Sequence, residues 1–155
     1  MTNTRITDAE VFERRYPVIL REFSIRKGSG GNGKFRGGDG VVRDIEFRIP
    51  VQVSILSERR VYHPYGLEGG EDAECGVNIW IRKDDTAEGG ERVVNLGGKN
   101  TAAMKPGERI IINTPGGGGW GLPDGEAPET KVERDPTFAW RGGSVAGRLA
   151  TQETN

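Results

Sequence analysis

The chain has 155 residues, a net charge of −1, 34% apolar residues, 25 glycines, one cysteine and one histidine. That length suits one domain able to bury about two-thirds of its unfolded surface, while the lean apolar content predicts loops, a thin core and reliance on a partner. A lone Cys75 excludes an internal disulfide, and with His63 as the only histidine a structural zinc site within the chain is excluded too, although a carboxylate-bound hard cation stays open.

No apolar run approaches the ~20 residues that span a bilayer, and the N-terminal residues lack the apolar stretch of a secretory leader. A cytoplasmic protein is expected, with neither membrane nor nucleic acid as partner. Charge is unevenly spread: residues 14–60 hold eleven Lys or Arg against five Asp or Glu, and residues 61–91 hold two against eight. This is either a chance grouping of solvated turns or a basic surface for an anion beside an acidic partner surface.

In chain order, Thr7-Asp-Ala-Glu10 fits a capping box, and Val11, Phe12 and Arg15 predict a short helix ending before Pro17. Everything after it reads as strand and turn. Residues 18–27 place Phe23 and Ile25 on one face. Residues 41–49 place Val41, Ile45, Phe47 and Ile49 on one face with Arg43 among them, at an open strand end or pointing into a pocket mouth. Further strands are predicted at residues 51–56, around Val77, Ile79 and Ile81, over Val93, Val94 and Leu96, and over Ile110-Ile-Ile112. Lys105-Pro-Gly-Glu108 has the residues of a type II turn.

About six short strands, one short N-terminal helix and glycine-rich loops predict a mainly β domain, sandwich or barrel-like, over residues 1–122. Residues 123–155 lack sustained periodicity and read as an irregular tail, extended or partner-bound, that Phe138 and Trp140 dock onto something.

The glycines gather beside charge. Gly28 to Lys34 matches two phosphate-loop patterns, but Phe35 stands where a metal-binding hydroxyl belongs, and the following Arg36-Gly-Gly-Asp39-Gly40 cannot open a helix onto a phosphate. A strand–loop–strand element is expected instead. Asp39 among Arg36 and Arg43 suits a bidentate pair that fixes the loop, or a contact to substrate. Arg59, Arg60 and His63 follow a strand end, where polar residues on a β scaffold commonly gather; His63 reads as a loop residue or a general base. Cys75 lies amid Glu71, Asp72 and Glu74, which disfavour its thiolate. Thr114-Pro-Gly-Gly-Gly-Gly119-Trp120 is either a flexible tether or backbone packed closely against a neighbouring domain, with Trp120 as anchor.

These motifs occur together in an order that resembles one family. Tyr16-Pro17, Gly28-Ser-Gly-Gly-Asn-Gly33, Phe35-Arg-Gly-Gly-Asp-Gly40, Ser57-Glu-Arg-Arg60, Pro64-Tyr-Gly-Leu67, Asn95-Leu-Gly-Gly-Lys99, Lys105-Pro-Gly107 and Thr114-Pro-Gly-Gly-Gly-Gly119 resemble the C-terminal part of the hydantoinase B/oxoprolinase family, in its eukaryotic, fungal-type 5-oxoprolinase branch. The resemblance covers about residues 1–123. It implies a hydrolase of cyclic amides that opens 5-oxo-L-proline to L-glutamate with ATP, Mg²⁺ and a monovalent cation, in the γ-glutamyl (glutathione) cycle.

In that setting the ATP-using step belongs to a hydantoinase A-like half that this chain lacks. It also lacks the N-terminal part of the hydantoinase B-like half, so the chain resembles a split gene product or an excised segment, inactive alone. Its implied partners are those remaining domains, within an oligomer of the full enzyme; the rival reading is a non-catalytic module that binds them. The resemblance carries over no catalytic residue or metal ligand. Leu122-Pro123 stands where the family often has an acidic residue before proline. Arg36, Asp39, Arg59, Arg60, His63 and Lys99 are the candidates for contacts to substrate or to the domain interface.

Overall fold

A computed structural model describes residues 7–123, apart from Asp85 and Glu88; the expected tail, with Phe138 and Trp140, lies outside the described residues. Asp8, rather than Thr7, caps helix α1 (Ala9–Arg15), its carboxylate accepting from the amides of Glu10 at 3.0 Å and Val11 at 3.3 Å. A carboxylate there satisfies orphan amides at the positive end of the helix. Tyr16 ends the helix in extended backbone, the conformation that the following Pro17 favours.

Seven strands follow among the described residues: β1 (Val18–Arg26), β2 (Gly40–Phe47), β3 (Val51–Leu56), β4 (Val77–Lys83), β5 (Glu91–Asn95), β6 (Lys99–Met104) and β7 (Arg109–Asn113). An antiparallel five-stranded sheet runs β1-β2-β7-β4-β5, and β3 and β6 form a separate two-stranded sheet. The molecule is therefore mainly β, as expected, but with one strand more than six and without barrel closure. The additional strand is β6, Lys-Asn-Thr-Ala-Ala-Met, whose residues carry little β preference of their own. Pairing with β3, from Val51 opposite Met104 to Leu56 opposite Lys99, makes it a strand.

The core fills the space between the sheets. Val18, Ile45 and Ile110 of the larger sheet meet Ala102 and Met104 of β6 and Leu96 just after β5, and Val51, Val53, Ile55 and Trp80 pack against them. In β2 the alternation marks the core face correctly, with Arg43 on it. In β4 the run Val77, Ile79, Ile81 marks the opposite face, because Trp80 is the residue paired with Ile110. A bulge between Leu20 and Glu22 makes Arg21 the extra residue in β1, so Leu20 and Phe23 share a face despite their odd spacing.

The predicted type II turn is present: the Glu108 amide donates to the Lys105 carbonyl at 3.1 Å, with Gly107 at φ +81°. Among the described residues no helix is long and apolar enough to cross a membrane.

Candidate functional site

Three glycine-rich stretches lie side by side at one end of the sandwich, joined by main-chain hydrogen bonds. Gly31 donates to the Gly117 carbonyl (2.9 Å), Gly117 to Gly38 (2.8 Å), Gly119 to Glu71 (2.9 Å), and Glu71 to Asn32 (2.7 Å). Phe35 and Trp120 exchange two bonds at 2.9 Å, with their rings 5.7 Å apart. Glycine is required because backbone packs on backbone. A Cβ on Gly37 would fall within bonding range of the Gly117 carbonyl oxygen, and one on Gly119 would overlap the Asn32 oxygen. The run 114–121 is therefore not a tether. It packs closely, as one reading expected, but against the chain's own loops.

The phosphate-loop look-alike is filled from within. The Gly30 amide donates to Asp39 Oδ1 at 2.9 Å, Gly31 to Gly117, and Lys34 to the Gly121 carbonyl at 3.1 Å. Asp39 takes the place an anion would hold in an amide nest. Arg36 Nη2 donates to the same Asp39 oxygen at 2.5 Å. That bond, reinforced by the Gly30 amide, lowers the Asp39 carboxyl to about 2, and Asp39 in turn raises the Arg36 guanidinium.

A second cluster forms where β3 ends. Arg59, Arg60, Tyr62 and Lys99 line a hollow of about 310 Å³ with Ser57 and Glu58, adjoining another of about 340 Å³ that shares Arg60. Arg59 holds φ +58°, a left-handed conformation that costs a non-glycine residue about 1 kcal/mol or more. It places the guanidinium 5.4 Å from the Tyr65 ring centre and lets Nη1 donate to the His63 carbonyl at 3.2 Å.

Arg60 donates to the Glu58 carbonyl (2.6 Å) and to Asn78 Oδ1 (3.1 Å), while its Nε is buried without a partner among the described residues. Burial first, then repulsion from Arg26, lowers its pKa. Lys99 Nζ is 3.5 Å from Glu58, both well exposed. His63 Nδ1 lies 2.7 Å from the Ala73 carbonyl. A carbonyl only accepts, so Nδ1 must carry the proton, leaving Nε2 as the ring's acceptor when neutral.

Of the six candidates, Arg59, Arg60 and Lys99 thus meet at one hollow with His63 beside it, and Arg36 and Asp39 form a separate pair in the glycine loops. Two organising residues escaped the sequence reading. Asn78, fully buried, donates to Ser57 Oγ (2.9 Å) and to the Gly97 carbonyl (2.7 Å) while accepting from Arg60. Glu108, 1% exposed, accepts from Trp80 Nε1 (3.1 Å) and from the amides of Lys105 (2.8 Å) and Lys83 (3.3 Å). The available signal was an asparagine inside an apolar strand, since a buried amide must find partners.

Among the described residues no three His, Cys, Asp or Glu side chains gather to hold a metal. The amides nearest a phosphate-binding pattern are spent on Asp39 and on carbonyls. These residues do not fit ATP or its Mg²⁺.

The fold recurs as part of longer chains of known structure. The ATP-dependent caprolactamase of Pseudomonas jessenii superposes with a TM-score of 0.62 at 29% identity, over 75% of this chain and 20% of that one. An acetone carboxylase shares the fold at a TM-score of 0.65 and 18% identity, over 77% of this chain and 20% of that one. The hydantoinase B/oxoprolinase model matches residues 1–123, and the chain belongs to that family.

The 5-oxoprolinase of Saccharomyces cerevisiae is 61% identical over 112 residues (72% of this chain, 8% of the relative). Arabidopsis thaliana 5-oxoprolinase 1 is 58% identical over 121 residues (78% and 9%). The 5-oxoprolinase PfmaA of Pestalotiopsis fici is 54% identical over 132 residues (85% and 10%). The chain spans about a tenth of the length of these relatives.

Proposed function

We propose that the chain supplies the C-terminal β segment of an ATP-dependent 5-oxoprolinase and is inactive alone. The overall reaction is 5-oxo-L-proline, ATP and two waters to L-glutamate, ADP and phosphate. An unstrained lactam is a poor electrophile, so coupling to ATP makes its opening by water feasible. The observation that carries this reading is 54–61% identity to 5-oxoprolinases of two fungi and a plant. A solved relative at 29% identity is also an ATP-dependent lactam-acting enzyme by name.

In this reading residues 1–122 are the family segment and 123–155 a tail. ATP, Mg²⁺ and a monovalent cation are bound by the rest of the enzyme, the hydantoinase A-like and remaining hydantoinase B-like domains. The full assembly is a cytoplasmic oligomer serving the γ-glutamyl cycle. The hollow at Arg59, Arg60 and Lys99, flanked by His63, offers cationic groups to a carboxylate, as 5-oxoproline carries, or to an acidic interface. The Arg36–Asp39 pair holds the glycine loops beside it.

A second reading is a non-catalytic module that binds oxoprolinase domains, favoured by the small share of each relative that the chain spans. Mixing the full chain with a yeast 5-oxoprolinase polypeptide lacking the matching region tests both. Recovery of 5-oxoproline-dependent ATP hydrolysis supports the first, association without activity the second, and activity of the chain alone refutes both.

A further inference from the structure

Among the described residues strand β3 has one unpaired edge, and the pattern of its ladder identifies the groups on it. The Ser57 amide donates to Gly98, the residue opposite it at 2.8 Å, so this is a hydrogen-bonded pair. Directly opposed residues in an antiparallel ladder alternate between bonded and non-bonded pairs. Ile55, Val53 and Val51 therefore face β6 with their N–H and C=O groups, while Leu56, Ser54 and Gln52 turn theirs outward. The opposite edge obeys the same phase: the outward amide of Thr101 is taken up by Asn100 Oδ1 at 2.8 Å. Among the described residues no group accepts from or donates to the outward backbone of Gln52, Ser54 or Leu56.

The strand has none of the usual protection. Val-Gln-Val-Ser-Ile-Leu holds no charge and no internal proline, a profile that natural proteins avoid on a bare edge. The hollow shared by Trp80, Val94 and Leu96 with Thr101 and Ala103 puts β6 over the β4–β5 side, so β3 is the ribbon strand towards β2 and β1. There, on the same face as Ile45, Phe23 is 46% and Ile25 64% exposed. Arg43, opposite Phe23, stands over the Phe12 ring at 5.4 Å with its Nε buried and, among the described residues, without an acceptor.

Among the described residues, the β3 edge, two exposed apolar side chains of β1 and the Arg43 Nε are thus each left without a partner. We propose that β3 pairs with an added strand from the remainder of a 5-oxoprolinase polypeptide, a segment that lays apolar residues on Phe23 and Ile25 and brings a carbonyl or carboxylate to Arg43. This rests on the chain working with such a polypeptide, whose relatives run to about ten times its length. Strand addition of this kind draws its strength from main-chain hydrogen bonds and its selectivity from alternate side chains.

Hydrogen exchange tests it, on the full chain alone and mixed with the yeast 5-oxoprolinase polypeptide lacking the matching region. The amides of Gln52, Ser54 and Leu56 should exchange freely in the chain alone and at least about tenfold more slowly in the mixture. Ser54→Pro removes one outward amide while sparing the main-chain bonds to β6, losing there only the exposed hydroxyl contact to Thr101 at 3.2 Å, and should weaken association about tenfold or more. Phe23→Asp, on the uncovered face, should weaken it similarly with the chain's own unfolding midpoint nearly unchanged.

Association with unprotected β3 amides and unaffected variants overturns the added strand while leaving the enzyme reading intact. Absence of any association overturns both. Protection in the chain alone that grows with its concentration overturns it in favour of a second copy on β3.

Discussion

Gly119→Ala should unfold the glycine-knit loops at a cost that the structure allows to be estimated. A Cβ at this position would overlap the Asn32 carbonyl oxygen, and its surroundings are backbone, with no flexible side chain to give way. Forcing the strands apart costs about 1–3 kcal/mol as overpacking. It also strains two hydrogen bonds, Gly119 to Glu71 and Leu67 to Gly119, both 2.9 Å, worth about 1 kcal/mol each. The expected loss is about 3–5 kcal/mol, or a fall in Tm of about 10–20 °C for a chain of this size.

Gly38→Ala is the internal control. A Cβ there meets nothing within 4 Å, so it should leave stability unchanged or raise it by up to about 1 kcal/mol. Thermal unfolding followed by circular dichroism on both variants decides the matter. Equal midpoints would refute the claim that these glycines exist for backbone-on-backbone packing.

Three other outcomes follow from the same contacts. Asp39 has its carboxyl lowered from 3.8 to about 2, so its contribution to stability is fully present above the higher value and lost as pH falls through the lower; Asp39→Asn should flatten the acid limb of Tm against pH in that window. Glu108→Ala leaves three part-buried donors without their acceptor and should cost about 3 kcal/mol in urea unfolding, with Glu108→Gln costing less because one oxygen remains. Lys99→Ala removes only an exposed pair at 3.5 Å, so stability should change by less than about 0.5 kcal/mol; a raised KM for 5-oxoproline in the assembled enzyme would place Lys99 at the substrate.

Most of the architecture could be read from local pattern where pattern and packing agree. Ile45 and Phe47 alternate in β2 and face the core, and Pro106-Gly107 makes the turn its residues demand. Reading failed where long-range partners decide. β6 is a strand only because β3 pairs with it, and Trp80 rather than Ile79 faces inward because β4 has apolar residues on both sides. The glycine runs announced close backbone approach, but not that the approaching backbone belongs to the same chain. Of the candidate residues, the Arg36–Asp39 pair was visible in four consecutive residues of sequence. The meeting of Arg59, Arg60 and Lys99 depends on Asn78, a buried amide whose partners lie 18 to 21 residues away.

The most direct measurement of the central claim is 5-oxoproline-dependent release of ADP by the full chain, by the yeast 5-oxoprolinase polypeptide lacking the matching region, and by the two together. The account predicts turnover only in the mixture. Turnover by this chain alone, or by the shortened yeast polypeptide to the same extent without it, would contradict the account.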